Sequence, residues 1–322
     1  MVALPIYGVR KNMAVIMVCG FPGSGKSSIT KQLLTAEVCV LNRDTEGGTI
    51  AGLLPKLESH LKDHDDVILD NLFPTIESRK PFIDLCKKYN TEISCKLMGT
   101  SIEDAQFNVV QRAIALTGKF PTPEVIKAAK HTNIFPPLVL FKYKKEFQKP
   151  DISEGFSKVE VIKFTRKDDP TFTNKAILVD YDGTLRECIG GNEKFPVSTD
   201  QIEIKPNRTK VLQSYLDKGY RILGISNQSG VSKGDLTYEK ACELFDYTNK
   251  QLGIDIEYKF CPHQSAPISC YCRKPMPGIG VEFIIKHKLD RRQCLMVGDM
   301  ATDATFAKRC GFQYVDQVEF FS

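Results

Sequence analysis

The chain has 322 residues, enough for two domains with cores of their own; 42% are hydrophobic and 26% charged, and the formal net charge is +5. That balance excludes disordered and collagen-like classes. No apolar run is long enough to cross a bilayer, and Val2 to Tyr7, short and interrupted by Pro5, does not read as a signal peptide, so a cytoplasmic or nuclear protein is expected rather than a secreted one.

Residues 1 to 12 carry no periodic pattern and read as a poorly ordered lead-in. The apolar run Ala14 to Cys19 predicts a strand, and Ser28 to Leu34 a helix. Between them lies Gly20-Phe21-Pro22-Gly23-Ser24-Gly25-Lys26-Ser27. In that context the backbone N–H groups from Gly20, Gly23, Ser24 and Gly25 to Ser28 converge on a polyphosphate at the helix N-terminus. Lys26 reaches the outer phosphates and the Ser27 hydroxyl holds Mg²⁺, so ATP with Mg²⁺ is the expected ligand.

Strands at Val38 to Leu41, Val67 to Leu69 and Ile93 to Met98 then alternate with helical patterns at Ile50 to Leu61, Ile76 to Tyr89 and Ile102 to Leu116. Such alternation predicts an α/β domain, a mostly parallel sheet flanked by helices, whose ligands bind at the C-terminal strand ends. Asp44 and Asp70 fall at those ends. Asp44 is placed to deprotonate an acceptor hydroxyl, and Asp70 to hold Mg²⁺ through water close to that acceptor. Residues 106 to 133 are polar and basic and include Arg112 and Lys119; up to residue 172 there are 24 Lys and Arg against 20 Asp and Glu, and 20 against 19 beyond. The excess in the first half permits a phosphate-rich partner.

The order Gly-Phe-Pro-Gly-Ser-Gly-Lys-Ser, Asn42-Arg43-Asp44-Thr45, Asp70-Asn71, Pro74, Ser78-Arg79 and Arg112 resembles the kinase domain of the polynucleotide 5′-kinase/3′-phosphatases. The closing segment Phe141 to Phe147, Pro150 and Glu154-Gly155-Phe156 extends the resemblance over about residues 14 to 165. It implies Asp44 as general base, Arg112 as a lid arginine on the phosphates, Asp70 and Arg79 near the substrate, and a nucleic-acid 5′-hydroxyl as acceptor. One departure is Leu72-Phe73, where the family carries two polar residues.

The charged, proline-terminated stretch Arg166 to Pro170 marks the expected division, residues 1–170 from 171–322. Strand Ala176 to Val179 delivers Asp180-Tyr181-Asp182-Gly183-Thr184, two carboxylates that can divide labour: Asp180 as nucleophile on phosphorus, Asp182 as general acid and then base. Strand Arg221 to Ile225 leads to Ser226 and Asn227, suited to a phosphate. Arg273 and Lys274 supply cations, and Leu295 to Val297 leads to Asp299 and Asp303. Mg²⁺ is expected at Asp180, Asp182, Asp299 and Asp303. These four elements resemble the motifs of the haloacid dehalogenase-like phosphatases over about residues 175 to 315, a second parallel-sheet domain. Cys261, His263, Cys270 and Cys272 match a closed tetrahedral Zn²⁺ site and resemble the zinc loop of the heptose-bisphosphate and histidinol-phosphate phosphatases. The other eight of the eleven cysteines are expected in the core.

The leading expectation is a bifunctional end-healing enzyme acting on nucleic acid with 5′-hydroxyl or 3′-phosphate ends, leaving ends for a ligase downstream. The alternative is a metabolic fusion of a small-molecule kinase with a sugar- or histidinol-phosphate phosphatase. A non-catalytic, nucleotide-gated interaction protein is disfavoured by intact Lys26, Asp44, Asp180 and Asp182.

Overall fold

The computed structural model describes residues 13–129, 133–190 and 195–322; the lead-in at residues 1 to 12 lies outside it. Two compact units emerge, one of residues 13–105 with 140–165, the other of residues 106–139 with 166–322. The grouping departs from a division at residue 170 chiefly in the segment 106–139, which packs with the second unit.

The first unit is built on β1 (Ala14–Cys19), β2 (Val38–Leu41), β3 (Asp66–Asp70), β4 (Glu92–Met98) and β5 (Lys158–Ile162). All pairings are parallel, in the order β2-β3-β1-β4-β5. β1 is central and buried on both faces. Val15, Met17 and Cys19 join one core with Leu57, Leu69 and Phe82, while Val18 meets Ile68, Met98 and Ile29 on the other. Each such side chain contributes about 1.5–3 kcal/mol on burial, which is why an unbroken apolar run becomes a middle strand. Val18 pairs with Asp70, and Leu41 with Leu69, so the ends of β1, β2 and β3 lie level.

The second unit carries β6 (Ala176–Val179), β7 (Arg186–Cys188), β8 (Ile202–Ile204), β9 (Arg221–Asn227), β10 (Glu257–Cys261), β11 (Leu295–Gly298) and β12 (Gln313–Asp316). Five form a parallel sheet ordered β10-β9-β6-β11-β12, and β7 and β8 make an antiparallel pair. Val179 pairs with both Val297 and Gly224, which brings the ends of β6, β11 and β9 together. Of the eight cysteines expected in the core, Cys19, Cys86, Cys95, Cys294 and Cys310 are buried, whereas Cys39, Cys188 and Cys242 are half-buried. Among the described residues no helix is long and apolar enough to cross a membrane.

Candidate active sites

In the first unit, β1 hands the chain to a loop whose turns need glycine. Gly20 has φ +149°, and a Cβ there would stand 2.7 Å from the Cβ of Met98. The helix Lys26–Leu33 starts directly afterwards. Lys26 Nζ donates to the carbonyls of Gly20 at 3.0 Å and Phe21 at 2.9 Å, which draws the ammonium onto the loop. Ser24 Oγ is buried without a hydrogen-bond partner, and Thr100 fixes the Ser24 carbonyl at 2.8 Å. Ser27 and Ser28 are exposed in the first helical turn. The loop therefore combines a lysine, free hydroxyls and a helix N-terminus, the donors a polyphosphate needs.

Asp70 is buried at the end of β3, where Thr30 Oγ1 donates to it at 3.0 Å. Asp44 is more open, its side chain 37% exposed, in a short helical turn capped by Asn42 Oδ1. Arg43 Nη2 donates to Asp44 at 3.0 Å. Asn71 ties this turn to the end of β3: its Oδ1 accepts from Arg43 N at 3.0 Å and its Nδ2 donates to the Leu41 carbonyl at 3.2 Å. The aromatic closing segment has a visible job here. Tyr143 packs against Phe21 of the loop with ring centroids 4.9 Å apart, and its hydroxyl donates to the Leu72 carbonyl.

Arg79 corrects an expectation. Its side chain is fully buried, and its guanidinium grips Glu154 with two bonds, Nε at 2.7 Å and Nη2 at 2.8 Å, while Nη1 donates to the Phe73 carbonyl. All three nitrogens are committed inside the unit, so Arg79 is a structural cross-link and not a substrate contact. Arg112 lies in the second unit, where Nη2 donates to the Asn133 carbonyl at 2.8 Å and Nε is buried without a partner. Burial pushes its guanidinium below the usual range, with the nearby Tyr271 acting the other way.

The second site forms where β6 and β11 end. Asp180 is buried: it is 6% exposed, its backbone N–H donates to the Val297 carbonyl, and Lys274 Nζ stands 2.9 Å from its Oδ1. The same ammonium lies 2.7 Å from Asp303 Oδ1. Burial pushes the Asp180 carboxyl up to about 7, Lys274 opposing and Asp303 reinforcing the rise. Burial works against the Lys274 charge too, but the two carboxylates outweigh it and hold the ammonium above its ordinary range. One cation thus faces two buried acids.

Asp180, Asp299 and Asp303 each offer an oxygen, all within 4.8 Å of one another. Asp180 Oδ1 and Asp303 Oδ1 are buried without a directed hydrogen bond. Three carboxylates that bring hard oxygens to a common point fit Mg²⁺. Gly183 makes the approach possible: its φ is +84°, and a Cβ would stand 2.3 Å from Asp299 Oδ2.

Asp182 has both oxygens engaged, Oδ1 by Arg186 Nε and Oδ2 by Gln228 Nε2, each at 2.7 Å. Ser226 is buried and its Oγ accepts from Gln228 at 3.1 Å. Asn227 differs from the expectation of a phosphate contact through its amide. Its Oδ1 accepts from Lys274 N at 2.9 Å and its Nδ2 donates to the Lys274 carbonyl at 3.1 Å, so the amide clamps the lysine's backbone. Arg273 is partly tied down, Nη1 donating to the His263 carbonyl at 3.2 Å.

Cys261, His263, Cys270 and Cys272 gather as the spacing predicts, with His263 Nδ1 3.2 Å from Cys272 Sγ and 3.5 Å from Cys261 Sγ. Their four ligand atoms lie within 4.8 Å of one another. Hydrogen bonds among the three thiols hold Cys270 well below the usual thiol range and push Cys261 and Cys272 above it, so the three share charge as one cluster. Three sulfurs and one imidazole fit Zn²⁺. Tyr271, between two of these cysteines, reaches the Phe135 carbonyl at 3.0 Å.

Sequence reasoning missed Arg186, the anchoring of Asp44 by Asn71, and the Tyr271 tether. Arg186 stands four residues beyond Asp182, the one local signal that could have drawn attention to it.

Two family profiles match the chain: an AAA domain over residues 15–132, and the polynucleotide kinase 3 phosphatase family over residues 175–321. A probable D-glycero-D-manno-heptose-1,7-bisphosphate 7-phosphatase of Thermoplasma volcanium is 34% identical over 141 residues, covering 42% of this chain and 92% of that protein. A bifunctional polynucleotide phosphatase/kinase of Schizosaccharomyces pombe is 30% identical over 155 residues, 48% of this chain but 34% of that protein. A chain in the solved Pnkp1/Rnl/Hen1 RNA repair complex overlaps 97% of this chain and 99% of its own at 18% identity, with a TM-score of 0.33.

Proposed function

Since the chain belongs to the polynucleotide kinase/phosphatase family, a P-loop domain followed by a haloacid dehalogenase-like phosphatase domain, we propose that it heals nucleic-acid ends, phosphorylating 5′-hydroxyls and hydrolysing 3′-phosphates. Kinase and phosphatase domains of these kinds use ATP and Mg²⁺. The observation that carries the reading is the presence, in one chain, of a complete phosphate loop in the first unit and the Asp180, Lys274, Asp303 constellation in the second.

In the kinase reaction Asp44 takes the proton of the 5′-hydroxyl while Lys26 and the loop hold the phosphates, and Asp70, bonded to Thr30, would hold Mg²⁺ through water. In the phosphatase reaction the Asp180 carboxylate attacks phosphorus and the P–O bond to the sugar breaks. Asp182 gives its proton to the departing 3′-oxygen, then takes one from the water that attacks the aspartyl-phosphate and releases inorganic phosphate. Lys274, 2.9 Å from Asp180, opposes the burial that disfavours the charged carboxylate. Mg²⁺, when held by Asp180, Asp299 and Asp303, offsets negative charge on the phosphoryl oxygens. Zn²⁺ at Cys261, His263, Cys270 and Cys272 would fix the loop that presents Arg273 and Lys274.

The zinc loop and the T. volcanium relative favour a small phosphorylated metabolite for the second unit, and that remains the competing reading. It leaves the kinase-type first unit without an acceptor. Supplying ATP and Mg²⁺ with an oligonucleotide bearing a 5′-hydroxyl and a 3′-phosphate, beside a panel of phosphorylated sugars, decides between them. End healing requires turnover at both oligonucleotide ends; turnover of sugar phosphates alone would reject it. A ligase acting on the healed ends would be a downstream partner.

A further inference from the structure

Arg186 is a large side chain, 1% exposed, and nothing in the phosphatase reaction as written uses it. Its connections are nonetheless specific. Nε donates to Asp182 Oδ1 at 2.7 Å, and Nη1 donates to the Leu244 carbonyl at 2.7 Å and to Thr248 Oγ1 at 2.8 Å, both on the helix Tyr238–Leu252. The guanidinium carbon lies 5.0 Å from the ring centroid of Phe245 and 5.5 Å from that of Tyr181. The backbone closes the same turn, Gly183 N–H donating to the Arg186 carbonyl at 2.9 Å. Burying an arginine is costly unless every donor and the charge are matched, so this one is held for its geometry.

Asp182 is the terminus of that geometry. Gln228 Nε2 donates to its second oxygen at 2.7 Å, so one fixed donor addresses each oxygen. Two such bonds set the plane of the carboxyl, while each oxygen keeps a further lone pair, one of which can carry the proton that is delivered. Proton delivery to a leaving oxygen is sensitive to placement, and misplacing an acid by about 1 Å can cost on the order of 10²-fold.

We propose that Arg186, with Gln228, is a positioning residue that orients the Asp182 carboxyl for proton delivery to the departing 3′-oxygen, by bracing it against the helix Tyr238–Leu252. The proposal rests on the phosphatase reading above. It predicts a dependence on the leaving group that a merely structural arginine would not produce. A sugar 3′-oxygen is a poor leaving group and must be protonated as the P–O bond breaks; 4-nitrophenolate leaves without a proton.

The test compares wild type, Arg186→Met, Arg186→Lys and Gln228→Leu on a 3′-phosphorylated oligonucleotide and on 4-nitrophenyl phosphate. For Arg186→Met, kcat on the oligonucleotide should fall roughly 10²-fold while kcat on the nitrophenyl ester falls less than about tenfold, with KM little changed for either. Arg186→Lys, which keeps the charge and loses the fork, should recover part of the oligonucleotide rate. Gln228→Leu buries no uncompensated cation and should show the same imbalance between the two esters, so the test stands even if Arg186→Met does not fold. Equal losses on both esters in Arg186→Lys and Gln228→Leu, or no loss, would overturn the positioning role. A wild type that hydrolyses neither ester would reject the phosphatase reading itself.

Discussion

Replacing Arg79 by Met removes a fully buried cation from a site where Glu154, its side chain also buried, has no other counter-ion among the described residues. Three hydrogen bonds disappear, two of them the parallel pair to the Glu154 carboxylate and one to the carbonyl of Phe73, whose φ of +42° that bond helps to hold. Removing one partner of a buried pair costs about 3–5 kcal/mol, because the remaining charge is neither solvated nor paired. For a unit of this size that corresponds to a fall of about 10–20 °C in the midpoint of its thermal transition. Scanning calorimetry of the full chain should show this transition moved and that of the second unit unmoved. Arg79→Met combined with Glu154→Gln should recover roughly half of the loss, since the orphaned charge goes while Asp151 N–H keeps its acceptor. An unchanged transition in Arg79→Met, together with a raised KM for a 5′-hydroxyl oligonucleotide, would show the guanidinium facing substrate and refute the reasoning.

Asp44→Asn keeps the capped turn but removes the base; labelling of 5′-hydroxyl oligonucleotides by ATP should fall roughly 10²-fold or more, with ATP affinity in equilibrium binding nearly unchanged. Gly183→Ala places a Cβ 2.3 Å from Asp299 Oδ2 at a φ of +84°, so 3′-phosphate hydrolysis should drop at least about tenfold while the kinase reaction persists, as parallel assays would show. One zinc per chain is expected from elemental analysis of protein purified without added metal, and its removal by a chelator should make Cys261, Cys270 and Cys272 alkylatable. Cys86 and Cys294, which burial pushes up to about 12, should resist alkylation at pH 8 before and after, as mass spectrometry would record. Because Tyr271 ties the zinc loop to the Phe135 carbonyl, the same chelation should speed proteolysis within residues 106–139.

Contiguous chemistry was legible in the sequence: the loop Gly20 to Ser27, the pair Asp180 and Asp182, and the cysteine cluster each concentrate their function within a few residues. The central strands were legible too, because parallel pairing buries both faces and leaves an unbroken apolar run. Three of the four edge strands of the parallel sheets were harder to read, the short apolar β2 being the exception. β5, β10 and β12 each have one open side, and sequences such as Lys-Val-Glu-Val-Ile mix polar with apolar residues too briefly to separate from loop. Long-range partners were beyond local reading altogether. Arg79 looked like a substrate contact because Glu154, 75 residues away, was not visible as its partner. Asn227 looked like a phosphate ligand because nothing local shows its amide closing on the backbone of Lys274, 47 residues on.

The central claim is that one chain carries two independent phosphoryl chemistries acting on the two kinds of nucleic-acid end. The most direct measurement follows 5′-labelling and 3′-phosphate release on a single oligonucleotide, in wild type, Lys26→Ala and Asp180→Asn. Wild type should perform both reactions, Lys26→Ala only phosphate release, and Asp180→Asn only labelling. Loss of both reactions in either folded variant, or transfer confined to small metabolites in the wild type, would contradict it.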